Sequence, residues 1–170
     1  MNKYSHDIII ETIRSLQQDN YRRDKVMLHK FLFFLEYMGR PTGLRFEPYT
    51  YGPFSFDLAN NLDFMNLAGE ISFDENSYAV PSNNEASAAK VGIGEYLSRF
   101  KDIVGPAPDF KDLECIGTLL YCAMVLRKTS GSSDDDGIIK EFKNWKGDKY
   151  SDDEITPYLT RLHEQGIIIH

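Results

Sequence analysis

The chain has 170 residues, of which 42% are hydrophobic and 26% are charged, with 12 Gly, 7 Pro and 2 Cys. This composition is that of an ordinary globular protein, and it excludes collagen-like, low-complexity and wholly disordered chains. The formal net charge is −7, from 19 Lys and Arg against 26 Asp and Glu. A uniformly acidic protein is a poor candidate for wrapping a phosphate backbone.

The first half of the chain contains three segments whose apolar side chains recur at helical spacing. They cover residues 5–18, 22–38 and 55–68. Ser5 is a plausible N-cap for the first helix. Residues 44–51 are aromatic and extended in character. Gly52-Pro53 is a turn signal that follows them, and Pro53 can also open the third helix.

A β-hairpin is predicted over residues 70–80, because apolar residues alternate on both sides of a polar tip at 74–77. Residues 81–85 are a linker, and residues 86–103 have the spacing of a fourth helix. Gly105-Pro106-Ala107-Pro108 then breaks the chain. We therefore expect two lobes, residues 1–104 and 109–170, packed as one compact unit.

The second lobe is predicted to be helical over residues 109–128 and again around Ile138–Trp145, with a polar loop at 129–136 between them. Ser151 and Glu154 have the spacing of a capping box, which opens a last helix. Pro157 complicates that helix: either the helix kinks there, or Thr156 is the true N-cap. Residues 167–169 are three isoleucines with β-like character.

The order of these elements predicts a mainly α fold with a small β-hairpin, of the α+β type. Two helices, an extended link, a third helix and a hairpin form the order of a winged helix. The second lobe, with two helices and a short β-like segment, is interpreted as half of another such module.

Several segments together resemble the YwgA-like family of prokaryotic proteins. Residues 25–35 (KVMLHKFLFFL) match its K-x-x-L-x-K-x-x-F-x-L helix, and residues 51–55 (YGPFS) match its Y-G-P-[YF]-S turn. The YGPFS segment is the most specific part. Weaker matches follow at residues 68–71, Leu113-Glu114, Gly117-Thr118, 145–148, Ser151 with Glu154, and Leu162 with Gly166-Ile167.

This resemblance implies winged-helix architecture and an association with toxin–antitoxin or phage-defence systems. YwgA-like modules are similar to the toxin-binding part of an antitoxin that opposes a DNA-modifying ADP-ribosyltransferase. The SocA-type (Panacea) antitoxin domain is a more distant likeness, which shares the initial helix and a G-P turn. The resemblance therefore implies a protein partner, either a toxin or a defence effector.

No catalytic, metal-binding or cofactor motif is found in the sequence. His29 lies in the most apolar helix and is expected to be a partly buried helix-face residue. Gly92-Ile93-Gly94 lacks the third glycine of a dinucleotide fingerprint, and no Cys or His pair has the spacing of a zinc site. We therefore predict a protein that is not an enzyme and needs no cofactor.

The location is predicted to be cytoplasmic, without a membrane partner. The N-terminal residues lack the apolar stretch of a secretory signal, and no segment approaches the ~20 apolar residues of a membrane helix. Cys115 and Cys122 lie seven residues apart in a predicted helix, which separates their Cα atoms by roughly 10 Å, beyond disulfide reach. They are expected to be buried thiols.

Aromatic residues concentrate around the Gly52-Pro53 turn. One interpretation is that these rings pack the two halves of the protein together. The other is a partly exposed aromatic shelf that anchors a protein partner, since aromatic residues are enriched at interface hot spots. The predicted partner-binding residues are Tyr49, Tyr51, Pro53, Phe54 and Phe56.

Basic residues concentrate in the first 50 residues, where eight Lys and Arg against six Asp and Glu give a net charge of +2. In a DNA-binding winged helix such cations would contact phosphates, and polar residues of the third helix would address base edges. The candidate DNA-binding residues are Arg22, Arg23, Lys25, Lys30, Arg45, Ser55, Asn60 and Asn61. The alternative for the cations is a solvated helix face.

Three hypotheses follow from the sequence. The first is a protein-interaction module whose acidic surface presents carboxylates where a partner expects phosphates. The second is a sequence-specific DNA-binding regulator, which the acidic hairpin tip at residues 74–77 argues against. The third is an enzyme of an unrecognised type.

Overall fold

The computed structural model describes residues 2–82, 92–131 and 133–168. The described residues form seven helices and two separate antiparallel hairpins. In chain order the elements are α1 (Lys3–Gln18), α2 (Lys25–Tyr37), β1 (Glu47–Tyr49), β2 (Gly52–Phe54), α3 (Phe56–Leu67), β3 (Ser72–Asp74), β4 (Ser77–Ala79), α4 (Gly94–Val104), α5 (Phe110–Ser130), α6 (Asp135–Lys146) and α7 (Asp152–Glu164). The predicted mainly α fold with a small amount of β structure is confirmed.

The N-cap of the first helix lies three residues earlier than the predicted Ser5 cap. Asn2 is its N-cap, and the Asn2 side chain accepts a hydrogen bond from the Tyr4 backbone N–H at 2.9 Å. Ser5 is buried inside the helix, and its hydroxyl donates to the Thr42 carbonyl at 2.6 Å. Its role is thus tertiary rather than capping.

The first hairpin pairs Glu47 with Phe54 and Tyr49 with Gly52, and residues 50–51 form its turn. The predicted turn at Gly52-Pro53 is therefore wrong, because both residues belong to β2. The φ angle of Gly52 is +107°, a value that side chains with a Cβ rarely adopt. A Cβ at this position would also lie 3.1 Å from the Thr118 hydroxyl of α5. Pro53 does not open α3, since Ser55 is its N-cap.

The second hairpin, β3–β4, confirms the hairpin predicted over residues 70–80 and pairs Phe73 with Tyr78. Its tip residues Glu75 and Asn76 have φ angles of +50° and +63°, as two-residue hairpin turns require. Two hydrogen bonds with Arg23 attach the hairpin to the body: the Arg23 Nε donates to the Tyr78 carbonyl at 2.7 Å, and the Tyr78 backbone N–H donates to the Arg23 carbonyl at 3.0 Å.

The C-terminal helices agree with the predictions in most respects. Ser151 opens α7 with a complete capping box to Glu154, so the Thr156 alternative is wrong. Pro157 lies inside α7, and the carbonyl four residues earlier belongs to the exposed Asp153, where water can replace the lost hydrogen bond. Ile167 and Ile168 are buried but form no strand, while residue 169 lies outside the described residues.

The predicted helix over 86–103 overlaps α4 only from Gly94 onward, and residues 83–91 lie outside the described residues. α5 extends two residues beyond its predicted end, to Ser130. Gly105-Pro106-Ala107-Pro108 does separate α4 from α5, as expected.

The core is built around α2 and α5. Ten of the thirteen residues of α2 are buried, so this helix is enclosed on nearly every side. Phe31 and Phe34 contact Phe100 of α4, with ring centroids 5.7 and 5.2 Å apart, and Phe33 contacts Tyr121 of α5 at 5.5 Å. The buried residues before and after the Gly105–Pro108 break belong to one hydrophobic cluster.

Within the part of the chain that the structure describes, no helix combines the length and apolar character needed to span a membrane.

Candidate interaction surface around the first hairpin

The first hairpin and the start of α3 display three aromatic rings in mutual contact, which we call the aromatic cluster: Tyr49 of β1, Phe54 of β2 and Phe56 of α3. The centroid of Phe54 lies 5.1 Å from that of Tyr49 and 4.9 Å from that of Phe56, and the other two rings are 5.5 Å apart. Tyr49 is 49% exposed and Phe56 is 48% exposed. The structure thus brings together three of the five residues predicted to bind a partner.

Tyr51 and Pro53 have other positions. Tyr51 is 52% exposed but packs edge-on against Phe110 of α5, with centroids 5.0 Å apart, and the Lys149 ammonium lies 5.2 Å above its ring. Pro53 is buried. The prediction that Pro53 itself contacts a partner is therefore corrected: Pro53 supports the hairpin from inside.

His29 of α2 supports the aromatic cluster from below. Its ring stacks on Phe54, with centroids 4.3 Å apart and planes 11° from parallel. Nδ1 lies 2.8 Å from the Lys25 carbonyl oxygen and Nε2 lies 3.2 Å from the Ser55 carbonyl oxygen. Burial lowers the pKa of His29 to about 4, so the ring is neutral at pH 7 and donates to only one of them.

Three side chains from the helical body donate hydrogen bonds to backbone carbonyls of the hairpin. Trp145 Nε1 donates to the Tyr49 carbonyl at 3.1 Å, and Lys146 Nζ donates to the Thr50 carbonyl at 2.8 Å. Lys30 Nζ donates to the Pro53 carbonyl at 3.1 Å. The hairpin is consequently fastened to α2 and α6 at both ends of its turn.

Lys146 also belongs to a buried polar network centred on Glu114 of α5. The Glu114 carboxylate, which is inaccessible to solvent, accepts hydrogen bonds from Lys146 at 2.8 Å, Lys149 at 2.9 and 3.0 Å, and the Tyr150 hydroxyl at 2.6 Å. Burial alone would raise the pKa of this carboxyl, but the hydrogen bonds outweigh burial and hold the pKa below its ordinary value. Glu114 is therefore ionised at neutral pH.

Lys30 lies in the same buried region, where it is 3% exposed. Burial lowers the pKa of its ammonium to about 8; nearby Lys146 lowers it further, while Glu114 opposes the shift. The absence of a side chain at Gly117 makes room for Lys30, since a Cβ there would lie 3.0 Å from Lys30 Cδ.

Sequence reasoning did not identify this network. Its only signal in the sequence is that α5 is apolar on several faces. A carboxylate within such a helix is expected to be buried away from water. Residues 113–120 are all buried, and Glu114 and Thr118 fall within this run. The Thr118 hydroxyl is buried without a hydrogen-bond partner among the described residues.

The predicted DNA-binding cations do not form one exposed patch. Arg22 makes a bidentate ion pair with Asp24, with N–O distances of 3.0 and 2.8 Å, and also donates to the Pro108 carbonyl at 3.1 Å. Arg23 is bonded to the second hairpin, as described above. Lys30 is buried, which corrects its assignment as a phosphate contact.

Lys25 and Arg45 are the members of that set whose charged groups face solvent. Lys25 is exposed and its ammonium lies 5.9 Å from the Phe73 ring centroid. The Arg45 side chain is 92% exposed and pairs with Asp57 at 3.4 Å.

The polar residues predicted to read bases are only partly available. Ser55 is fully buried, and its hydroxyl accepts a hydrogen bond from the Leu58 backbone N–H at 3.0 Å as the N-cap of α3. This corrects its assignment to a base edge. Asn60 is exposed and Asn61 is half-buried.

The exposed part of α3 is apolar and acidic. Phe64 is 60% exposed and Leu67 is 89% exposed, and the helix contains Asp57 and Asp63 but neither Lys nor Arg. At the second hairpin, Phe73, Asp74 and Glu75 are all exposed. The exposed parts of α3 and of the second hairpin thus combine apolar side chains with carboxylates.

No cluster of three or more metal-ligating side chains occurs among the residues that the structure describes. A scan of the chain against protein-family models gives no match, and a search of curated proteins gives none either.

Proposed function

We propose that this chain is a non-enzymatic protein-interaction module that binds a partner protein through the aromatic cluster. The single observation that supports this function best is the position of Tyr49, Phe54 and Phe56. Three aromatic rings touch one another, two of them are about half exposed, and the hairpin that carries Tyr49 and Phe54 is fastened to the helical body.

Pre-organisation makes this cluster suited to binding. Exposed aromatic residues supply a large contact area, and they are enriched among the residues that dominate binding energy. Ordering a flexible loop on binding costs free energy. Because Trp145, Lys146 and Lys30 already hold the hairpin carbonyls, a partner would meet the rings in place.

The body that carries the cluster is proposed to be a winged helix. In this description α1, α2 and α3 are its three helices, α3 occupies the position of a recognition helix, and β3–β4 is the wing. The order of elements supports this assignment. The second lobe, interpreted from the sequence as half of another such module, is then a helical addition packed on α2.

Charge indicates the chemistry of the partner. The exposed surface of α3 and the tip of the second hairpin carry Asp63, Asp74 and Glu75, whereas α3 has no cation. A partner with a basic surface complements this arrangement. The family resemblance suggests a toxin or defence effector, and a nucleic-acid-binding face of that protein would meet carboxylates in place of phosphates.

Sequence-specific DNA binding is the alternative function. The exposed side chains of Lys25, Arg45 and Asn60 favour it. Against it, Arg22, Arg23 and Lys30 are engaged within the protein, and the recognition-helix position carries only negative charge. Cations that contact phosphates dominate the affinity of DNA-binding proteins. Two solvent-facing cations would therefore contribute little affinity for DNA.

Affinity purification from the native host tests the proposal when three forms are compared. The wild-type chain and Tyr4→Ala, which removes an exposed ring from α1, should retain the same partner. The double variant Tyr49→Ala/Phe56→Ala should retain at least about ten-fold less, as expected for interface aromatic anchors. Circular dichroism should confirm that all three forms are folded.

Equal recovery of the partner by the double variant would contradict the proposal. A gel-shift titration with random duplex DNA at about 0.15 M salt completes the test. We expect no tight complex. Tight, steeply salt-dependent retention that is lost in Lys25→Glu/Arg45→Glu would favour the DNA-binding alternative instead.

A further inference from the structure

The first hairpin also borders a groove on the side that faces α5 and α6. The groove has a volume of about 460 Å³, which is within the range of sites that bind small ligands or a side chain. Pro48 of β1 forms one wall, Tyr121 and Val125 of α5 the second, and Glu141 and Trp145 of α6 the third.

Two aromatic rings form a fixed corner of this groove. The ring centroids of Tyr121 and Trp145 are 5.4 Å apart, and their planes meet at 67°. Trp145 is held by its hydrogen bond to the Tyr49 carbonyl, and Tyr121 packs on Phe33 in the core. Faces of aromatic rings attract cations because the π-electron density is negative.

Carboxylates supply the negative charge around these rings. Glu141 lines the groove, and neither hydrogen bonds nor ion pairs engage it within the described residues. Glu47 lies near Tyr121: burial raises the pKa of the Tyr121 hydroxyl, and the Glu47 charge raises it further. No lysine or arginine lines the groove in the part of the chain that is described.

One cation already lies over Trp145, which shows how this ring can be used. The Lys146 ammonium is 5.1 Å from the indole centroid, but its charge is balanced by Glu114 at 2.8 Å. Among the described residues, Glu141 has no such counterpart. The groove therefore combines aromatic walls with a carboxylate that no described cation pairs with.

We infer that this groove binds the guanidinium group of an arginine side chain supplied by the basic partner. The inference rests on the proposed function, because that function requires a partner with a basic surface. Arginine fits better than lysine, since a flat guanidinium stacks on aromatic rings and can pair with a carboxylate through two parallel hydrogen bonds. Glu141 would be the pairing carboxylate, and the corner of Tyr121 and Trp145 would hold the flat face.

The test needs no identified partner, because Trp145 is the only tryptophan of the chain. Its indole N–H gives one resonance in a ¹H–¹⁵N NMR spectrum, and this resonance reports on the groove. We would titrate the full chain with N-acetyl-arginine amide and, as the matched uncharged probe, N-acetyl-citrulline amide. The arginine probe should shift the indole resonance saturably, and the citrulline probe should not.

A pair of variants assigns the effect to Glu141. Glu141→Gln should weaken binding of the arginine probe by roughly five-fold or more, as expected for losing one ionic partner near aromatic walls. Glu164→Gln removes the same charge from an exposed position on α7 and should leave the affinity unchanged. Equal shifts with both probes, no shift with arginine, or equal affinities of the two variants would each overturn the inference.

These outcomes are independent of the partner experiment. If the arginine probe binds but the Tyr49→Ala/Phe56→Ala variant still retains its partner, arginine binding in the groove is supported and partner binding through the aromatic cluster is refuted. If that variant loses the partner while the arginine probe does not bind, partner binding through the cluster is supported and arginine binding in the groove is refuted.

Discussion

Replacing Lys30 by Met should change how the stability of this protein depends on pH. The Lys30 side chain is buried beneath the first hairpin, and its ammonium has the Pro53 carbonyl as hydrogen-bond partner. Burial, with a smaller contribution from Lys146, lowers its pKa from 10.5 to about 8. Between these two values the unfolded chain holds a proton on Lys30 that the folded chain has released.

The sign of the effect follows from proton linkage. Where the unfolded state binds more protons, the free energy of unfolding rises with pH. Lys30 therefore stabilises the folded state less at pH 7 than at pH 9. With a folded pKa of about 8, the contribution of Lys30 should rise by about 1.3 kcal/mol between these two pH values.

Urea titrations of the wild type and Lys30→Met at pH 7 and pH 9 measure this contribution. Other groups also titrate: burial raises the pKa of both Cys115 and Cys122 to about 12, which lowers stability above pH 9. The two proteins share these groups, so the difference between them isolates Lys30. Between pH 7 and pH 9, the free energy of unfolding of the wild type should rise by about 1.3 kcal/mol relative to that of the variant.

Lys140→Met is the matched control, because Lys140 is exposed on α6. The difference in the free energy of unfolding between this variant and the wild type should be the same at both pH values. A Lys30→Met difference that does not change with pH, or that changes in the opposite direction, would refute the argument that this ammonium is destabilised by burial.

Two further predictions concern the support of the hairpin. Glu114→Gln should lower the free energy of unfolding by about 3–5 kcal/mol, since it leaves the buried Lys146 without its anion; Glu154→Gln, whose pair with Lys111 lies at the surface, should lower it far less. Chemical denaturation at pH 7 measures both, and comparable losses would contradict the importance of the buried network. Gly52→Ala should destabilise the fold by more than Gly69→Ala does, because both glycines have positive φ angles but a Cβ meets Thr118 at 3.1 Å only at Gly52. Thermal unfolding of the two variants checks this order, and equal losses would show that the close approach has no cost.

Local signals in the sequence predicted most of the secondary structure. The capping box of Ser151 and Glu154 opens α7, and the polar tip at residues 74–77 forms the turn of the second hairpin. Hydrogen bonds in caps and tight turns join residues two to four positions apart, so the sequence nearby is enough to specify them. The aromatic residues around Gly52 could also be found in this way.

The same reasoning could not assign positions that depend on distant contacts. Gly52-Pro53 has the composition of a turn, yet both residues form a strand because Glu47–Tyr49 pairs with them. Ser55 and Lys30 were predicted at a DNA-facing surface, but the packing of the hairpin against α2 and α5 buries both. The sequence gives the type of a polar residue on a helix, but it does not tell which distant segments pack over that residue and bury it.

The sequence by itself determined where α7 begins, where the second hairpin turns and which segment is rich in aromatic residues, since these properties arise from neighbours along the chain. Tertiary structure alone decided that Tyr49, Phe54 and Phe56 touch while Tyr51 turns to Phe110. It also decided that Glu114 gathers Lys146, Lys149 and Tyr150 from more than 30 positions away. Charges so far apart along the chain interact only after α5 and α6 pack together, and burial then makes their pairing obligatory.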